Sequence, residues 1–225
     1  MTKTLLLVIA CIVSTATFAQ KYNIDSSLKA LQTSKDSALR AMVHADSVKV
    51  DKEYTDKIKW EKLKAVSIYP VINAGDGSGV IPVDNPTEIP DASIDYKLLF
   101  EITENNPDSA ASIDNYDLVE VARVINLHVA SGIPLKKIFP VIVVHGPALN
   151  ALKNNEYYQK KYKMDNPNIK LINELANVGA KFIACGQAMA FTDTKREALL
   201  PLVKISLTAQ TALSSYRLKG YIKVH

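Results

Sequence analysis

From Tyr96 onward, short apolar runs alternate with helix-length segments, and few folds accommodate that rhythm. Tyr96-Lys97-Leu98-Leu99-Phe100-Glu101-Ile102 reads as a strand, and Ser112 to Ser131 as an amphipathic helix ended by Gly132. Ile138 to Val144 is a second strand, followed by a helix over about Pro147 to Leu152 and a polar loop through Tyr162. Asn166-Pro167-Asn168 opens another helix that Gly179 stops, and Lys181 to Cys185 is the third strand, with a further helix starting behind it. Pro201 to Ile205 is a fourth strand, Thr208 to Leu218 a helix closed by Gly220, and Tyr221 to Val224 a fifth strand. Strands that alternate with helices call for a mainly parallel sheet of about five strands, covered on both faces. The unbroken apolar stretch Val141 to Val144 suits a central strand buried on both sides.

The chain upstream differs. Lys3, the apolar run Leu5 to Val13 and the small-residue site Thr17-Phe18-Ala19 form an export signal over residues 1–19, cleaved after Ala19. Val8-Ile9-Ala10-Cys11 offers the alternative of a lipidated Cys11, after an unusually short apolar stretch. Either reading places the protein in the periplasm or outside the cell, and no later segment is long and apolar enough to insert in a membrane. Residues 20–64 form an arm without Gly or Pro. In it Ile24, Leu28, Leu31, Leu39 and Met42 share one helical face with a gap at Lys35, and Tyr54 and Ile58 suggest a second short helix. Residues 65–225 make the folded domain. Its first part is rich in Pro and Gly, with a short hairpin near Ile72 and Val80, and Gly75-Asp76-Gly77-Ser78-Gly79 serving a turn.

Cleavage removes Lys3 and Cys11 and leaves 26 basic against 23 acidic residues, a net charge of +3, and one cysteine. No disulfide can then form within the chain, so the domain depends on a hydrophobic core. The charge is mixed, with no basic tract or aromatic ladder for nucleic acid. No internal repeat, Walker loop or Gly-x-Ser-x-Gly elbow is present. The four histidines lack ligand-like spacing, and neither a metal nor another cofactor is expected.

Chemistry therefore converges on Cys185. In open α/β sheets ligands bind outside the carboxyl ends of the strands. Thr103, His145 and Cys185 follow or end the first three strands, so parallel strands bring them to one sheet edge. A thiol at a strand-to-helix turn feels the positive end of the helix dipole, and the Gly186 and Gln187 amides behind it favour thiolate. His145, between Val144 and Gly146-Pro147, is placed to lower the thiol pKa or move its proton. The competing reading is a small buried residue at the edge of the core, with His145 bonded to neighbouring backbone.

Val143-Val144-His145-Gly146-Pro147-Ala148-Leu149, Asn166-Pro167-Asn168, Cys185-Gly186-Gln187 and Leu199 to Lys204 together resemble the exported branch of the DsrE/DsrF-like family. Tyr69 to Ile72, Tyr96-Lys97 and Asn126-Leu127-His128 add to the likeness, which runs from about Trp60 to Tyr221. It implies a three-layer α/β/α fold and a homo-oligomer, a trimer or a hexamer. It further implies a sulfur-relay role: intracellular relatives carry a persulfide on a cysteine just after the third strand, where Cys185 stands. The export signal and the helical arm depart from those relatives and leave the sulfur donor and acceptor open. Two functions follow. One is an exported sulfur carrier or thiol redox protein using Cys185 and His145, with Gly186, Gln187 and Thr103 at the ligand. The other is a non-catalytic oligomeric module that binds a small ligand and uses the cysteine only for packing.

Overall fold

The computed structural model describes the backbone of residues 2–224, and side chains for residue 26 and residues 28–224. The expected signal over 1–19, its cleavage point at Ala19 and the alternative at Cys11 lie outside the described side chains. The chain divides into two compact units, Met1–Glu61 and Lys62–His225. Helix α1 spans Thr2–Val66, so it makes up the described residues of the first unit and its last five residues, 62–66, belong to the second. The helix expected through Met42, with its gap at Lys35, and the second short helix expected at Tyr54 and Ile58 are one, because no Gly or Pro stands between them to break the backbone. Leu28, Leu31, Leu39 and Met42 are all more than half exposed. Among the described residues, no helix is long and apolar enough to cross a membrane.

In the second unit the elements follow as β1 (Tyr96–Ile102), α2 (Tyr116–Ala130), β2 (Ile138–Val144), α3 (Asn155–Tyr162), α4 (Asn168–Asn177), β3 (Lys181–Cys185), α5 (Gly186–Phe191), β4 (Lys204–Ser206), α6 (Ala209–Leu218) and β5 (Ile222–Lys223). Among the described residues the sheet has five strands, all parallel, in the order β4-β3-β2-β1-β5. The first three strands occupy the spans their sequence predicts. Each is an apolar run long enough to show its pattern, and β2 is buried from Pro140 to Val144 between two paired neighbours.

Alternation along the strands divides the core. Leu98, Phe100, Ile102, Ile142, Val144 and Phe182 face one side, where α2 and α4 cover them with Leu118, Val121, Ile125, Leu171 and Leu175. Leu99, Val141, Val143, Ile183 and Cys185 face the other, which α6 covers with Ala209, Ala212 and Leu213. The layers are therefore α/β/α, with a larger core on the α2–α4 side.

Downstream of β1, four expected elements differ. The fourth strand is Lys204–Ser206 rather than Pro201 to Ile205. Leu199, Leu200 and Val203 are buried, but as a plug in the first core, held by Leu200 N–H donating to the Leu152 carbonyl. The fifth strand shortens to Ile222–Lys223, because Tyr221 N–H turns back to the Tyr216 carbonyl at the end of α6. The polar loop before Tyr162 contains α3, capped by Asn154, whose side chain accepts from Tyr157 N–H. With Tyr158 its single buried residue, α3 leaves no apolar period to read. The segment after His145, Gly146–Leu152, is a 3-10 helix.

The Pro/Gly-rich segment forms a turn at Asp76–Ser78 and a single antiparallel bridge, Ile68 to Val80, instead of a hairpin at Ile72. Asn126 takes up the Ile72 polar groups. Its Oδ1 accepts from the Val71 and Ile72 amides at 3.0 Å each, and its Nδ2 donates to the carbonyls of Ile72 at 2.7 Å and Ser78 at 2.9 Å. Asn166 and Asn168 work similarly. Asn166 Nδ2 donates to the Ala151 and Lys153 carbonyls, and Asn168 Oδ1 accepts from Asn115 N–H at 2.6 Å, tying α4 to the start of α2. The Asn166-Pro167-Asn168 motif is thus a staple of the scaffold.

Candidate functional site

Parallel register brings the chemistry to the carboxyl edge of the sheet. Val143 pairs with Ile183 and Val144 with Ala184, and His145 continues β2 in extended conformation (φ −148°, ψ 176°). One more step of that register sets His145 beside Cys185, on strands about 4.8 Å apart, with both side chains on the α6 face. Glu101 lies on the same face of β1, two residues beyond Leu99. All three border one cavity of about 470 Å³.

The Cys185 sulfur is 3.2 Å from the Ala209 backbone nitrogen, whose N–H points at it from the first turn of α6. Ala209 opens α6, so its N–H has no partner within the helix and is available to the sulfur. The expected donors, the amides behind Cys185, are placed differently. Gln187 N–H donates to the Leu207 carbonyl at 3.1 Å, and the Cys185 side chain makes no capping bond to its own helix. Gly186 lets the two connections approach: a Cβ there would meet the Ser206 carbonyl oxygen at 2.8 Å. Gln187 borders the cavity, whereas Gly186 contributes this close approach. Thr103 also stands outside the cavity lining. Its carbonyl accepts from Ala148 N–H at 3.1 Å and so fixes the turn at Gly146, whose φ of +60° suits glycine.

Two residues of the site escape the sequence reading. His145 Nε2 lies 3.1 Å from Glu101 Oε1, and Lys223 Nζ lies 2.6 Å from Glu101 Oε2. The hydrogen bond from Lys223 holds the Glu101 carboxyl below the usual carboxylate range; burial opposes the shift and His145 adds to it. A charged residue near the end of an apolar strand was the available signal for Glu101. Lys223 had none, because its strand spans two residues.

The sign of the Glu101 shift makes a prediction. A depressed folded-state pKa contributes stability that is fully present above the unfolded carboxyl value, about 4.3, and is lost as pH falls through the folded value. The urea midpoint of the wild type should exceed that of E101Q at neutral pH, and the gap should close on acidification. A gap that is constant with pH would show that the ion pair contributes nothing through ionisation.

Phe191, 90% exposed, and the uncharged Gln187, Thr192, Thr208 and Gln210 complete the rim. Among the described residues no group of three or more His, Cys, Asp or Glu is arranged to hold a metal ion.

A parallel α/β sheet with a lone thiol at the end of β3, met by a helix amide, defines a class of domain rather than a single activity. The DsrE/DsrF-like family model matches residues 97–224, more than half of the chain, and this protein belongs to that family. Among solved structures, the chain is similar to a protein of unknown function, MTH1491, from Methanobacterium thermoautotrophicum. The identity is 18% and the TM-score 0.43, over 58% of this chain and 98% of that one. No curated protein matches the sequence.

Proposed function

We propose that the protein is exported and carries sulfur on Cys185, as a persulfide or a mixed disulfide, with His145 assisting. The observation that carries this reading is the Cys185 sulfur held by the Ala209 amide on the wall of a 470 Å³ cavity. Family membership supports it, since the fold is of the sulfur-relay type. In the loading step the Cys185 thiolate attacks the outer sulfur of a persulfide donor. The new S–S bond forms as the donor's own S–S bond breaks, and the donor leaves as a thiolate. A second copy of the chain is the expected companion, in a homo-oligomer.

One observation favours the other reading. Cys185 is only 5% exposed and packs with Leu99, Val143 and Ile183, as a structural cysteine does. Iodoacetamide labelling of the native full chain near neutral pH decides between them, followed by mass spectrometry after incubation with a small-molecule persulfide. A carrier is labelled while folded and gains the mass of one sulfur atom on the peptide containing Cys185. Labelling only after denaturation, with no added sulfur, sinks the carrier reading and leaves the small-ligand module.

A further inference from the structure

The strand order sets four reactive side chains in a row across one edge. Lys223 stands on β5, Glu101 on β1, His145 at the end of β2 and Cys185 at the end of β3, and these strands are consecutive neighbours. Contacts link the first three: Lys223 Nζ to Glu101 Oε2 at 2.6 Å, and Glu101 Oε1 to His145 Nε2 at 3.1 Å. The row ends at a sulfur bonded to a helix amide.

An ionised carboxylate only accepts hydrogen bonds. Lys223 keeps Glu101 ionised, so the contact at His145 requires the proton to be on Nε2. In a neutral imidazole that leaves the Nδ1 lone pair free. His145 stands between Glu101 and Cys185, so a ring anchored to the first through Nε2 has Nδ1 for the second.

We infer that Glu101, clamped by Lys223, is the positioning residue that fixes the tautomer and orientation of His145 so that Nδ1 accepts the Cys185 proton. The inference rests on the carrier reading of Cys185. The proton moves from Sγ to Nδ1 and gives a thiolate beside an imidazolium. The Ala209 N–H stabilises the first and the Glu101 carboxylate the second, and nothing is oxidised or reduced. Among the described residues no other ionisable group borders the cavity: α5 and its C-cap present Gln187, Ala188, Phe191 and Thr192, and α6 and its N-cap present Thr208, Ala209 and Gln210.

The sign of the response separates this role from a simple charge effect. Replacing Glu101 with Gln removes a negative charge and leaves Lys223 unpaired. Acting through space alone, that change favours the thiolate and lowers the pKa of Cys185. Acting through His145, it removes the carboxylate that fixes the Nε2–H tautomer and stabilises the imidazolium, and so raises the pKa.

The test is the pH profile of iodoacetamide alkylation of the full chain, wild type and E101Q, between about pH 5 and pH 9. The expected result is an apparent pKa about one unit higher in E101Q, with alkylation about tenfold slower at neutral pH. A profile that is unmoved or shifted downward in E101Q, with the wild-type thiol reactive, overturns this inference and spares the carrier reading. A native thiol silent at every pH overturns both. A readout that needs no variant is nitrogen NMR of the wild-type imidazole. Protonation of His145 at Nε2 is expected, and the Nδ1–H tautomer would overturn the assignment even where E101Q failed to fold.

Discussion

Replacing Asn126 with Ala should cost the domain about 3–5 kcal/mol, the largest effect expected of any single change described above. Asn126 is completely buried, and its side chain makes four hydrogen bonds to the backbone of residues 71–78. A typical intramolecular hydrogen bond contributes about 1 kcal/mol net, but truncation leaves two amides and two carbonyls without partners, and the burial of each determines the cost. Water entering the space offsets part of the loss, which is why the expected value lies below four full penalties. For a chain of this size the change corresponds to a melting temperature lower by roughly 10 °C. Amide exchange should accelerate first in residues 67–80, since Asn126 is their principal tie to α2. Asn126→Asp provides a sharper control: it keeps the oxygen that accepts from Val71 and Ile72 but sets a second carboxylate oxygen against the Ile72 and Ser78 carbonyls, so it should be no better than Ala. A melting temperature within about 2 °C of wild type for Asn126→Ala would remove Asn126 from this role.

The second large effect falls on the site. Gly186→Ala places a Cβ 2.8 Å from the Ser206 carbonyl oxygen and 3.3 Å from that of Leu207, and both are backbone atoms that no side-chain rotation can move. Overpacking of this kind costs about 1–3 kcal/mol. The strain acts on the two contacts that join the β3–α5 and β4–α6 connections, Gln187 N–H to Leu207 and Ala209 N–H to the Cys185 sulfur. The variant should therefore melt lower and expose its thiol. Native alkylation should be less dependent on the denaturant-free fold, yet the alkylation pKa should rise because the helix amide no longer meets the sulfur. Melting and pKa both unchanged would mean that the connections tolerate a methyl group and that the close approach has no bearing on Cys185.

The readability of the sequence follows the range of the forces involved. β1, β2 and β3 are legible because each is a run of apolar residues whose burial is decided by the strand itself. The carboxyl-edge placement of His145 and Cys185 follows from those strands being parallel, and alternation along them is enough to set both side chains on one face. β4 is misread because Leu199 to Val203 is as apolar as a strand but serves as a core plug against Leu152. No local pattern distinguishes the two uses. The α3 helix is invisible because its faces do not differ in polarity, and its start depends on a single Asn154 cap. At the site, Glu101 and Lys223 are 122 residues apart and meet only because β5 pairs with β1. Their partnership belongs to topology, which composition and spacing do not encode. The donor to the thiol is hidden for the same reason: the sequence points to the helix that follows Cys185, whereas the bond comes from the next helix.

On the face bearing the thiol, α6 supplies the covering helix, and the segment from Ala209 to Lys223 provides both the amide that meets the sulfur and the lysine that anchors the row behind it. The larger core, on the opposite side of the sheet, is built by earlier elements. On the carrier reading we propose, arming of the cysteine is thereby separable from formation of most of the fold. A fluctuation that lifts this last helix and strand leaves the main core standing, but it takes the Ala209 amide from the sulfur and Lys223 from Glu101. Under the proposed carrier reading, reactivity would report completed folding, because a chain whose α6 and β5 have not docked has no Ala209 amide at its sulfur.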